Sequence, residues 1–352
     1  MISASKQEQI SGDNSNNIQA TTVNINGVTY EQARQIALDV YKSNALELAG
    51  IAKDIATSRV EQFTERLLKN LAEKAPHALK SASDPDFQHS IFEAQKAFAR
   101  SGDKNLEDIL VSLLEDRACE YERNLKQVVL NEAITVSSKL TNSQINTITL
   151  LFSLRHTVHN GLQTIQQLAQ LITNEILPFY NDMPDGDMGY RYLSYTGIAT
   201  VDITKASFIT IIRKVYQGLC NKGIDEASIR ELIAEEPRVT NLFIRQPNSE
   251  TNSFNSIIST GTQLQIHLKE IGITSDVFIL KVINLLSANP MTDEEIKTQL
   301  VTVNPQIKSL IDKWDNSSAK NTILTPVGIA IGHANAKKHG LLHNYPLGIW
   351  IY

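Results

Sequence analysis

Charge is spread unevenly along this 352-residue chain, and that unevenness constrains its fold more than any other feature. Residues 31–140 carry 18 acidic and 15 basic side chains, 33 in 110, whereas residues 141–352 carry 35 in 212. Charged side chains are almost never fully buried unless paired, so the first stretch must keep much of its surface in water. Apolar residues recur through it at helical spacing, from Tyr30, Ala33, Ile36, Ala37 and Val40 through Leu46, Ile51, Ile55, Phe63, Leu67 and Leu71. The pattern predicts an extended helical domain over 29–140 and a more compact body after it.

Start and stop signals divide the helical domain. Thr29-Tyr30-Glu31-Gln32 reads as a capping box opening a helix of about forty residues that ends before Pro76. Asp84-Pro85 caps a second helix that stops near Gly102, and Asp103 opens a third carried by Leu106, Ile109, Leu113, Tyr121, Leu125 and Leu130. Three antiparallel helices are expected, as a bundle or a loosely supercoiled oligomer, because no a/d heptad is sustained. Residues 1–28 form a polar arm with a short strand at about 17–26. A lone strand pairs with later strands of its own chain, with water or with another protomer, which makes Ile18, Val23 and Ile25 candidate oligomer contacts. The plain alternative is a flexible tail.

The later sequence contains two similar heptapeptides, Leu193-Ser194-Tyr195-Thr196-Gly197-Ile198-Ala199 and Leu324-Thr325-Pro326-Val327-Gly328-Ile329-Ala330. Each follows a capped apolar helix some fifty residues upstream, so two related units are expected, 141–202 and 273–352, joined by a helical connector over 203–272. The second unit resembles a winged helix, with helices at 275–288, 293–301 and 305–316, a wing at about 317–325 and a closing helix to Lys338. The expected fold is mainly α, a helical amino-terminal bundle followed by two winged-helix-like modules.

Net charge is -5, the wrong sign for a phosphate coat. The second unit sets seven Lys against six acids, and the first sets Arg155 and Arg191 against Glu175, Asp182, Asp185, Asp187 and Asp202. Nucleic acid is therefore disfavoured as a partner. The acidic loop 182–187 fails the EF-hand register. His156 and His159 lack a third ligand nearby, so zinc is weaker than a helix end favouring cations. Cys119 sits among acids, and Cys220 has no partner spacing, so reduced buried thiols are expected. Lys337, Lys338 and His339 form the one local basic cluster, a possible anion contact or an ordinary helix terminus. The apolar tail Ile349-Trp350-Ile351 is expected to be held down, as a strand added to the second module or inserted into a neighbouring protomer. No catalytic, metal or cofactor motif is found, no cofactor is implied, and no apolar run is long enough to span a membrane.

The arm Gly12-Asp13-Asn14-Ser15 running through Ile18-Gln19-Ala20, the long charged helix, Leu324-Thr325-Pro326-x-Gly328-x-Ala330 and Ile349-Trp350-Ile351 together resemble an uncharacterised family of bacterial cytosolic proteins. That resemblance implies a cytoplasmic accessory protein and carries no catalytic residues. The Asn-rich arm is similar to those of bacterial stress and anti-phage proteins, which implies a defence setting. The function expected is self-association and binding of a partner protein, without catalysis. The alternatives are a DNA-binding regulator built on tandem winged helices and a metal-assisted nuclease or hydrolase using the acidic loop with His156 and His159.

Overall fold

The computed structural model describes residues 29–44, 50–245, 253–256, 258, 261–342 and 345–352. The expected strand at 17–26, with Ile18, Val23 and Ile25, lies outside the described residues.

The amino-terminal helices begin where the caps place them. Gln32 N donates to Thr29 Oγ1 at 3.2 Å and Thr29 N donates to Gln32 Oε1 at 3.0 Å, completing the box that starts α1 (Tyr30–Asn44). The forty-residue helix is instead two, because α1 packs on both α2 (Gly50–Lys74) and α3 (Pro85–Ser101) and cannot be collinear with either. Asp84 caps α3, and Gly102, at φ +62°, ends it. The third helix is likewise divided, into α4 (Lys104–Ala118) and α5 (Leu125–Ser137). The cause is Arg117, a fully buried guanidinium at the end of α4. It donates to Asp86 Oδ2 at 2.7 Å, to Asn131 Oδ1 at 2.8 Å and to the Glu120 carbonyl at 3.0 Å. A buried charge needs such partners, and reaching Glu120 O and Asn131 requires the chain to turn before Asn124 caps α5.

Next come α6 (Asn142–His156), α7 (Ile165–Leu171), a π turn (Ile172–Ile176), α8 (Leu177–Tyr180) and α9 (Asp187–Tyr195). The π turn precedes Pro178, which has no N–H and whose ring crowds the carbonyl four residues back; Leu177 N accordingly donates to Ile172 O, five residues back. β1 (Ala199–Val201) and α10 (Phe208–Val215) lead to the segment expected as a helical connector. That segment carries strands: β2 (Ile224–Asp225), α11 (Glu226–Glu235), a 3-10 turn, β3 (Phe243–Arg245), β4 (Ser253–Ser256) and α12 (Gly261–Glu270). The strands form an antiparallel sheet in the order β2-β4-β3. The last elements are α13 (Asp276–Ser287), α14 (Asp293–Val303), α15 (Gln306–Asn316), β5 (Thr322–Leu324), α16 (Pro326–Lys338) and a 3-10 turn at Leu347–Ile349.

The two heptapeptides do not play equivalent parts. Leu193–Gly197 ends a helix, with Gly197 at φ +77° and Ile198 N donating to Leu193 O at 3.0 Å, and leads into β1. Leu324–Ala330 leaves β5 and begins α16, with Thr325 as its cap. They meet in space: β1 pairs antiparallel with β5, Ala199 opposite Leu324, and Thr325 N donates to Ile198 O at 2.9 Å. The similarity reflects a shared small-residue turn between helix and strand, used in opposite directions.

Two principal cores result. The larger draws on α1 through α10, α14 through α16 and the C-terminal tail, so the charged amino-terminal helices share one interior with the end of the chain. The smaller joins residues 224–286, and the apolar face of α13, expected to open the second module, packs there. Asn221 pairs with Pro290, and Met291 N donates to Cys220 O at 2.9 Å, where the chain passes between them.

At the middle of the larger core lies α16, buried from Gly328 to Ala336. A Cβ on Gly328 would stand 2.3 Å from Ile198 O, and one on Gly332 would stand 2.7 Å from Phe152 Cβ. Replacing Gly by Ala in an open helix gains about 1 kcal/mol, but overpacking costs about 1–3 kcal/mol. Gly328→Ala is therefore expected to lower stability by about 1 kcal/mol, measured as a reduced urea midpoint; an unchanged or raised midpoint would contradict this packing.

Candidate functional site

Residues singled out from the sequence are mostly found tied to one another within the chain. Lys337 Nζ lies 3.2 Å from Asp116 Oδ1, and Lys338 Nζ lies 3.3 Å from Asp108 Oδ2 and donates to Asn105 Oδ1 at 2.6 Å. The His339 ring meets Phe179 edge-on at 5.0 Å, and burial together with Lys338 lowers its pKa. These cations complete the C-terminus of α16 and neutralise carboxylates of α4, leaving little positive field for an anion.

The tail adds no strand. Its Trp350 indole packs between Phe152, at 5.1 Å, and His333, at 5.3 Å, and Nε1 donates to the His156 carbonyl at 2.6 Å. That carbonyl belongs to the last turn of α6, which leaves its final carbonyls without helical partners; a buried indole N–H needs such an acceptor. Ile351 is buried in the same core, whereas Ile349 stays half exposed.

Acidic loop and histidines do not converge. Asp182 accepts from Asn146 Nδ2 at 2.7 Å, Asp185 pairs with Lys313 at 3.1 Å and Asp187 accepts from Ser318 Oγ at 2.6 Å. His156 stacks on Phe152, and burial, aided by the Arg155 charge, pushes its pKa down to about 4. His159 instead pairs with Glu175 of the π turn, Nε2 to Oε2 at 3.1 Å, while its backbone N donates to Tyr216 Oη at 3.1 Å. This dyad closes a narrow slot walled by Leu168, Ile172, Ile211 and Val215, with room for about one water. A carboxylate that orients an imidazole is the arrangement of an acid–base pair, and here, with the Tyr216 contact, it pins the 157–164 segment to the π turn and the end of α10. Among the described residues no group of three His, Cys, Asp or Glu is placed to hold a metal.

His333 is enclosed by α16 and the tail. Its Nε2 lies 2.8 Å from the Tyr345 carbonyl, which can only accept, so Nε2 carries the proton. Nδ1 then faces Asp116 Oδ2 at 3.9 Å, too far for a hydrogen bond. Burial lowers the His333 pKa as well. Cys220 is buried, its thiol pushed up to about 12, and Cys119 is exposed rather than buried, its pKa raised by partial burial, Asp116 and Glu120.

What the sequence reading passed over is surface. On α13, Val277 is 80% exposed and Leu280 is 57% exposed, and on α12 Ile266 is 53% exposed. On α9, Met188, Tyr192 and Tyr195 stand outward at intervals of four and three residues. Before and along α5, Tyr121, Leu125 and Val128 do the same. The signal was available in α13: the run Val277-Phe278-Ile279-Leu280, followed by Val282-Ile283, spreads apolar residues over more of the helix than a single core-facing stripe uses.

Fold and surfaces together define a mainly helical protein with two principal cores and no membrane-length apolar helix among the described residues. Residues 27–351 match the model of an uncharacterised protein family, and the chain belongs to that family. No curated protein and no solved structure matches it.

The pH response follows from His156. Its folded-state pKa lies below the ordinary 6.5, so the neutral form is the one that fits the fold. Stability is complete above about pH 6.5 and falls as pH drops from there toward 4. Acidification from pH 7.5 to 5 is expected to cost roughly 2 kcal/mol through this group. Denaturant titrations of His156→Phe should show a flatter pH dependence than the parent; an identical slope would exclude His156 as a source.

Proposed function

We propose that the chain is a non-enzymatic, self-associating protein that also binds a partner protein, and that self-association uses the outer face of α12 and α13. The observation that carries this reading is the pair of exposed apolar residues Val277 and Leu280, one turn apart on α13, with Ile266 exposed on α12, on helices whose other faces fill the smaller core. Contiguous exposed apolar surface of this kind marks interaction sites.

A DNA-binding reading draws on one observation. The order α10, β2, α11, 3-10 turn, β3, β4 with sheet order β2-β4-β3 resembles that of a winged helix, though it falls between the two segments for which that character was expected. Four of its cations argue against a phosphate surface: Arg213 pairs with Asp293, Lys222 with Glu295, Arg230 with Glu226 and Arg238 with Glu236. Each is committed to a carboxylate rather than held for counterion exchange.

Light scattering behind size exclusion, with absorbance at 260 and 280 nm, separates the readings. The full chain is expected to elute as a protein-only dimer or larger assembly, and Val277→Asp with Leu280→Asp as a monomer with unchanged helical circular dichroism. A monomeric parent, or an assembly indifferent to both substitutions, would overturn self-association through this face.

A further inference from the structure

We infer that the groove between α3 and α5 is a docking site for a cationic amphipathic helix of a partner protein. The inference goes beyond self-association and does not depend on it, since it uses elements of the other core.

The groove encloses about 550 Å³ and is lined by both helices. One wall is the exposed side of α5, where Val128 and Glu132 lie one turn apart, with Tyr121 from the chain preceding the helix at the same groove and Leu125 exposed just outside it. Tyr121, Leu125 and Val128 are exposed although the opposite face of α5, with Val129, Leu130, Ala133 and Ile134, is buried in the larger core. Large apolar groups on the outer face of such a helix add nothing to that core.

The occupant's chemistry follows from the charges. Asp84, Asp86, Glu93 and Glu132 line the groove; Arg117 beneath its floor and Arg123 at one end offset two of the four. Hydrogen bonds from Asn131 and Arg117 lower the Asp86 pKa, so it stays ionised. Glu93 reaches only Lys96, at 3.5 Å, and Glu132 has no cationic partner among the described residues. The groove is thus mainly polar and negative, with Val128 and Tyr121 as its apolar contacts, so a complementary segment carries Lys or Arg on one edge and an aliphatic residue or two on the next. Two flanking helices leave a trough suited to a third helix, and the 13 residues of α5 span about 20 Å, some three to four turns of an incoming helix.

The test uses the full chain and a fluorescein-labelled 14-residue peptide with Leu and Lys on adjacent helical faces, read by fluorescence anisotropy at physiological salt. A second peptide has Glu in place of Lys, and spermidine serves as an apolar-free cation. Saturable binding of the Leu/Lys peptide is expected, weakened at least tenfold by Val128→Asp and, separately, by Glu132→Lys. Both positions are exposed, so thermal midpoints should match the parent. No saturable binding, equal binding of the Glu peptide, indifference to both substitutions, or full competition by spermidine at the peptide's own affinity would each overturn the proposal. A result here leaves the oligomeric state of the Val277 and Leu280 variant unaffected, so the two readings fail separately.

Discussion

Two glycines allow α16 to run through the interior of the larger core at distances no side chain would permit, Gly328 against the Ile198 carbonyl and Gly332 against Phe152. Close approach of backbones leaves little apolar area per residue, and Ala330, Ala334 and Ala336 continue the same small surface. Polar groups carried inward on such a helix must find partners there, since an unsatisfied buried group costs about 1–3 kcal/mol. Asn335 Nδ2 accordingly donates to Thr149 Oγ1 at 2.7 Å and to Asn146 Oδ1 at 3.1 Å, and His333 to the Tyr345 carbonyl. These bonds fix which face of α16 meets α6, a choice small apolar residues alone leave open. The tail, the β1–β5 ribbon and the amino-terminal helices all take their places around it.

Much of this was legible locally. Caps at Thr29, Asp84, Asp103, Thr141, Ser275, Thr292 and Thr325 mark helix starts where hydrogen bonds are observed. Those signals are short-range chemistry between residues two or three apart, which a sequence displays directly. The divisions of the long helices were not visible, because what turns the chain after α4 is a set of partners for Arg117 drawn from residues 84 to 131. Charge density misled for a related reason: Lys104, Arg66 and Glu107 lie in a dense charged stretch, yet Glu107 is buried with its carboxylate against both cations. Ion pairs let a charged helix bury more of itself than composition suggests.

The candidate sites divide along the same line. Residues chosen for their chemical type, the histidines, the acidic loop and the basic helix end, are consumed by bonds within the chain. Residues chosen by no chemical rule, Val277, Leu280, Leu125 and Val128, are the ones left facing outward. The smaller core contributes by holding α13 with its inner side full, so that its outer side is presented on a rigid support. For a protein that acts by contact, surplus apolar surface carries more information than titratable groups, and a sequence shows that surplus only once the core-facing positions are known.

The central position of α16 also sets a timetable for synthesis. Roughly 190 residues separate the end of α5 from the start of α16, a delay on the order of ten to forty seconds at ordinary rates of translation. Through that interval α4, α5 and α6 have left the ribosome with the seat for α16 still open, presenting apolar side chains to whatever else is nearby. The charge of α4, six of its 15 residues, favours keeping such a waiting intermediate in solution until the last helix arrives.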